Sequence, residues 1–213
     1  MEYFWLNKKN NNKLILIFNG WGMNETPFRH LSNNDYDVLI LSDYRNFDLD
    51  LSLFNFEKYS EKYLISWSMG VYCSGYYFNI LDKFDKKIAI NGTGAIVDDN
   101  FGIPNKIYDI TIKSLNETNL DKFIDNMFFK GKLNPEITIT RDKESLKEEL
   151  IKIKELKITT PVNYDKAIIS KFDRIIPPKN QLNYWKNRTN VLEINSTHSP
   201  FNEFKNFEEI LCS

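Results

Sequence analysis

The chain has 213 residues, of which 42% are hydrophobic and 15% aromatic, enough for one domain with a substantial core. Its 28 basic and 29 acidic residues nearly cancel, so it lacks the basic excess of a nucleic-acid binder and its charge names no partner. Its cysteines, Cys73 and Cys212, fall in no paired metal spacing and are too few for a disulfide framework, which points to a reducing compartment.

Taken in chain order, Glu2 to Leu6 reads as an edge strand, with the polar stretch from Lys8 to Lys13 as the turn after it. Continuous apolar runs of strand length follow at Leu14 to Phe18, Val38 to Leu41, Tyr63 to Ile65, Ile88 to Ile90, Ala167 to Ile169 and Val191 to Ile194. Runs that do not alternate with polar residues belong to strands buried on both faces. Helical spacing appears at Tyr72 to Phe84 and Gln181 to Lys186, and His30 is placed on a first helix. Strands alternating with helices predict an α/β fold with a mostly parallel sheet and helices on both faces.

From about Lys113 to Lys157 the strand signal fades, apart from Ile137 to Ile139. Leu120 to Phe129 sets Phe123, Ile124, Met127 and Phe128 on one face, and Glu144 to Leu156 spaces Leu146, Leu150, Ile153 and Leu156 at helical intervals. Thr140 and Asp142 are candidate caps before the second of these helices. The segment at about 113–157 is read as a helical cap inserted into a single domain spanning 1–213, lying over the C-terminal edge of the sheet, where open α/β sheets place their ligands. The N-terminal stretch has no apolar core of signal-peptide length, and no apolar run approaches the ~20 residues of a membrane span, so the expected setting is cytoplasmic.

The stretch Ser66-Trp67-Ser68-Met69-Gly70 joins an apolar run to a helical segment. It matches the nucleophile elbow G-x-S-x-G with serine, also small, in place of the first glycine. A serine hydroxyl needs a base, and there are two histidines to choose from. His198 follows the last predicted strand at the edge where Ser68 sits, whereas His30 is upstream on a helix and is read as a packing or surface residue. Asp173, just after the run Ala167 to Ile169, is the favoured acid to orient the imidazole. Asp98 and Asp99 are the lesser alternative, and Asp165 precedes its strand at the wrong edge. Two donors are needed for a developing oxyanion: the backbone N–H of Met69, next to the serine, and that of Trp21 in the glycine-flanked turn FNGWGM.

FNGWGM, SWSMGV, INGTGAIVDDNFGIP, FDRIIPP with QLNYW behind it, and THSPF together resemble the BioG-type pimeloyl-[acyl-carrier protein] methyl ester esterases, α/β-hydrolases of biotin synthesis. The resemblance runs from Phe18 to Phe201 and is weakest in the helical insertion. It implies a serine esterase that releases methanol from the far carboxyl of a carrier-linked pimeloyl chain. In that pattern Ser68 is the nucleophile, Asp173 the acid, His198 the base, and Trp21 and Met69 the oxyanion hole. No metal or organic cofactor is required, no nucleic acid or membrane is involved, and the chain is expected to act as a monomer. Trp67, Phe123, Phe128 and Phe129 are candidates to line an acyl channel. The insertion's Lys143 and Lys147, among interleaved glutamates, are candidates to meet an acidic carrier. A broader carboxylesterase or acyl thioesterase shares the same chemistry, and a non-catalytic binding protein on this fold is the reading from another class.

Overall fold

The computed structural model describes residues 1–31, 35–128 and 139–213. Its centre is a seven-stranded sheet built from β1 (Glu2–Asn7), β2 (Lys13–Phe18), β3 (Asp37–Ser42), β4 (Glu61–Trp67), β5 (Lys86–Ile90), β6 (Lys166–Ser170) and β7 (Asn190–Ile194). The spatial order is β1-β3-β2-β4-β5-β6-β7. Every pairing is parallel except that of β1, which runs antiparallel along β3. Glu2 to Leu6 is thus an edge strand as expected, but Lys8 to Lys13 is no tight hairpin turn. It carries the chain past β3, where the buried Asp37 carboxylate accepts from the backbone N–H groups of Lys9 and Asn11 at 2.9 and 3.1 Å.

Burial on both faces explains the continuous apolar runs of the inner strands, whereas Val191 to Ile194, expected to be buried likewise, forms the exposed edge strand β7 with Glu193 in it. Leu14, Leu16 and Phe18 of β2 pack into one layer, while Ile15 and Ile17 pack into the other. The first layer is covered by the elbow helix α1 (Met69–Cys73), by α2 (Phe78–Leu81) and by Leu146, Leu150 and Ile153. The second is closed by Phe28, Phe201 and the C-terminal residues Phe207, Ile210 and Leu211.

Between β5 and β6 lie α3 (Asn105–Lys113), α4 (Glu117–Met127) and α5 (Lys143–Glu155). Beyond β6 come α6 (Pro178–Trp185) and, last, α7 (Phe207–Cys212). The helix expected from Tyr72 to Phe84 is broken, with a tighter 3-10 turn over Ser74–Tyr77 between α1 and α2. There the Ser74 hydroxyl bonds back to the Val71 carbonyl, and Gly75 sits so close to Ile158 that a Cβ would meet it at 2.5 Å. His30 is on no helix. It follows a single 3-10 turn, Thr26–Phe28, is exposed, and its Nε2 lies 3.0 Å from the Phe201 carbonyl oxygen. Asp142, not Thr140, caps α5, accepting from the Ser145 N–H at 2.9 Å. Of the strand-like run Ile137 to Ile139 only Ile139 is described, and it packs against the core; Ile137 and Phe129 lie outside the described residues.

Candidate active site

The chain order reverses at β2: β3 lies on one side of it and β4 on the other, which is where open sheets form a crevice at their C-terminal ends. Ser68 directly follows β4 at this point. Its backbone has φ 56° and ψ −124°, a region that non-glycine residues rarely occupy. The turn is held by the Ser68 N–H to the Ile90 carbonyl at 2.9 Å and by the Val71 N–H to the Ser68 carbonyl at 3.1 Å. The hydroxyl is thereby turned out of the sheet toward the loops.

His198 Nε2 lies 2.9 Å from Ser68 Oγ, and His198 Nδ1 lies 2.9 Å from Asp173 Oδ2. A carboxylate only accepts, so Nδ1 carries the proton and Nε2 is left to accept from the serine hydroxyl. All three residues are buried. The Asp173 carboxylate also accepts the backbone N–H groups of Ile175 and Ile176 at 2.8 and 3.0 Å, so the tight turn after β6 holds its other oxygen. Asp98 and Asp99 are engaged elsewhere: they accept from Asn100, Phe101 and Asn105 and do not touch His198.

The histidine loop is tied down from two sides. Trp67 Nε1 donates to the His198 carbonyl at 2.8 Å. Asn91, at φ 43° just after β5, donates to the same carbonyl at 2.9 Å, to that of Thr197 at 3.0 Å and to the Ser170 hydroxyl at 2.8 Å. Two residues that touch this group were not singled out from the sequence, Asn91 and Gln181. For Asn91 the signal was Asn-Gly directly behind a strand, which favours a left-handed turn. For Gln181 there was no such signal, because its helix also carries Lys179, Asn180 and Asn183.

Met69 directly follows the serine, and Trp21 lies in the turn after β2 at the same edge of the sheet. Among the described residues neither backbone N–H has a protein acceptor. Both residues border a cavity of about 320 Å³ whose walls include Tyr108 from α3, Phe123 from α4, Leu150 from α5 and Ile175. The Trp21 ring stands edge-on to Phe123 at 4.9 Å, and its Nε1 donates to the Leu146 carbonyl at 2.9 Å, fixing the turn after β2 against α5. Lys122 and Arg174 also border the cavity. Trp67 and Phe128 are not among its described lining residues. Trp67 is fully buried in the opposite layer against Phe28 and Phe201, and Phe128 packs in that same layer. Their size serves the core, which corrects the expectation that they line an acyl channel. Lys143 pairs with Glu117 across α4 and α5 at 3.0 Å, and Lys147 is half-buried on α5. Cys73 is buried and its thiol is pushed well up by burial, which makes it an unreactive packing group. Among the described residues no cluster of metal-ligating side chains occurs and no helix is long and apolar enough to cross a membrane.

This sheet, with a serine at the strand-to-helix elbow, defines an α/β-hydrolase. The enol-lactonase of Burkholderia xenovorans shares the fold, with a TM-score of 0.68 at 13% identity over 95% of this chain and 90% of that one. The model of the family "Pimeloyl-ACP methyl esterase BioG" matches residues 1–210, and the chain belongs to that family. The crystal structure of BioG from Haemophilus influenzae superposes with a TM-score of 0.84 at 29% identity, covering 99% of this chain and 100% of that one. A Bacteroides fragilis protein named malonyl-[acyl-carrier protein] O-methyltransferase is 40% identical over 187 residues, 84% of this chain. The chain spans 38% of the length of that relative.

Proposed function

We propose that the protein is a serine esterase that hydrolyses the methyl ester of a pimeloyl group carried on acyl-carrier protein, releasing methanol and the free carboxylate. The observation that carries this reading is the unbroken chain of contacts from Ser68 Oγ through His198 to Asp173, 2.9 Å at each step. Family membership supports the substrate, and the name of the Bacteroides fragilis relative supports a carrier-linked ester.

In this mechanism Ser68 Oγ attacks the ester carbonyl carbon as its proton passes to His198 Nε2. The oxyanion is held by the backbone N–H groups of Trp21 and Met69. The bond to the methoxy oxygen breaks, methanol leaves with the proton from Nε2, and an acyl-serine remains. Water then attacks by the reverse route, gives its proton to Nε2, and returns Ser68 to its hydroxyl form. Asp173 holds the imidazole in the required tautomer and balances the imidazolium. The acyl chain lies in the cavity under Phe123, with α3, α4 and α5 as a cap over the edge of the sheet. No step calls for a metal or an organic cofactor.

The test is methanol release from pimeloyl-carrier methyl ester by the wild type and by Ser68→Ala. The reading expects kcat to fall by at least about a thousandfold in the variant. Cleavage of short model esters alone would keep the serine chemistry and move the substrate to a broader esterase. A Ser68→Ala variant as active as the wild type would remove Ser68 from the chemistry.

A further inference from the structure

We infer that Gln181 is a positioning residue for the reaction, holding the Asp173 carboxylate toward His198 and moderating its pull on the imidazole proton. The inference rests on the catalytic reading of Ser68, His198 and Asp173 given above.

Gln181 lies on α6 and is fully buried. Its Nε2 is 2.8 Å from Asp173 Oδ2, the same oxygen that faces His198 Nδ1, and 2.9 Å from the Ile176 carbonyl oxygen. Both neighbours only accept, so the amide must present its NH₂ to them; the flipped amide would set Oε1 against two oxygens. That orientation leaves Oε1 buried with no partner among the described residues. A helix needing only a packing residue here would do better with an apolar side chain, because a buried orphan acceptor is costly. The amide is retained at that cost, and what it gains is one bond to the acid and one to the turn that carries it. With Gln181 in place each Asp173 oxygen has two donors: Ile175 and Ile176 on Oδ1, His198 and Gln181 on Oδ2. The helix itself is pinned beside the site by Trp185 Nε1, which donates to the Gly92 carbonyl at 2.9 Å.

The electrostatic consequence has a definite sign. A donor on Oδ2 draws charge from the carboxylate and weakens its hold on an imidazolium. Removing that donor strengthens the hold, so His198 would release its proton only at higher pH, and the acidic limb of kcat/KM would move upward. Other titratable groups on the surrounding elements are Lys171 and Arg174 on the acid's own loop, Lys179 on α6, Asp98 and Asp99 after β5, Glu203 after His198, and His30. None is within ion-pair distance of Asp173 or His198 among the described residues.

The experiment is the pH profile of hydrolysis of a short p-nitrophenyl ester by wild type, Ser68→Ala, Gln181→Met and Gln181→Glu, with thermal unfolding of each. Gln181→Met keeps the volume and loses the donor. Its kcat should fall about tenfold or more with KM little changed, and its acidic limb should move to higher pH. Gln181→Glu keeps the shape and sets two carboxyls together, which must share a proton. Its activity relative to wild type should therefore decline as pH rises. Folded variants whose pH profiles overlie that of the wild type would overturn the inference. So would loss of folding in both Gln181 variants while Ser68→Ala folds normally, because Gln181 would then be structural. If Ser68→Ala retains activity, the catalytic reading fails, and that failure is separate from any result at Gln181.

Discussion

At Gly70 a single added methyl group would meet the Phe18 carbonyl oxygen at 2.2 Å and that of Asn19 at 2.6 Å. Those atoms are backbone of β2 and of the turn that carries Trp21, so nothing flexible can yield. Gly92 is as constrained on the other side, with a Cβ 2.4 Å from the Ser68 carbonyl oxygen. The elbow therefore stays strained at Ser68 because both flanks are backbone in contact with backbone. Gly70→Ala is expected to cost about 3 kcal/mol, lowering Tm by about 6–12 °C, and to reduce esterase activity further by spreading Met69 and Trp21 apart. Calorimetry and kinetics on one preparation check both halves; a variant with unchanged Tm would mean that the two backbones are not in contact. Among residues, those with chemical peculiarity were legible from sequence: a serine in a glycine-bearing turn and a histidine after a strand. Asn91 announced only a left-handed turn, and Gln181, one of three amides on its helix, announced nothing, because what an amide holds is known only from its acceptors.

The element most dependent on charge is α5. Arg141, just before it, has its guanidinium 2.5 Å from Glu149 and 3.4 Å from Asp43, and donates to the Ser145 carbonyl at 2.9 Å. Glu149 is fully buried and also accepts the Tyr44 N–H at 2.9 Å, which ties the helix to the loop after β3. Burial pushes the Glu149 carboxyl above its usual range even beside Arg141. At Asp43 burial also pushes upward, but the hydrogen bonds from Arg45 and the charge of Arg141 outweigh it and hold that carboxyl low. Arg141→Met strands Glu149 and should cost about 3 kcal/mol in urea unfolding. A carboxyl raised in the folded state contributes stability below its unfolded value and loses it as pH rises through the folded one. The Arg141→Met deficit should accordingly be larger at pH 8 than at pH 5, and Arg141→Met with Glu149→Gln should remove most of that pH dependence. A pH-independent deficit would mean that the loss is packing alone. None of this pairing was visible in the sequence, since Asp43, Arg141 and Glu149 come from separate segments. The inner strands were visible because burial on both faces leaves few polar positions to blur the run; β7, read as one of them, is instead an exposed edge strand with Glu193 in its run. Helix α3 was missed because its Asn, Lys, Asp and Thr residues dilute a narrow apolar stripe.

For the whole molecule, one edge of the sheet gathers the turn at Trp21, the elbow at Ser68, the loop at Asp173 and the loop at His198. They stand far apart in the chain, yet each directly follows a strand of a parallel sheet, and parallel strands all end on the same side. That is why the site could be assembled from strand ends alone, while the walls of the cavity, contributed by helices between β5 and β6, could be anticipated only at Phe123. If the substrate is held on a carrier, as proposed, the surface above that edge is where the carrier would approach. A net charge of −1 gives no overall field to draw in an acidic partner, so attraction must be local. Lys143 is a poor probe of it, because reversing its charge also sets it against Glu117 and disturbs the contact between α4 and α5. Lys147 forms no ion pair among the described residues and is the cleaner choice. If α5 meets the carrier, Lys147→Glu should raise KM for the carrier-linked ester several-fold at low salt and much less at high salt, with kcat and the kinetics of a short ester unchanged. An equal change on both esters, or none on the carrier-linked one, would take α5 out of carrier recognition and leave the lysines as a solvated helix face.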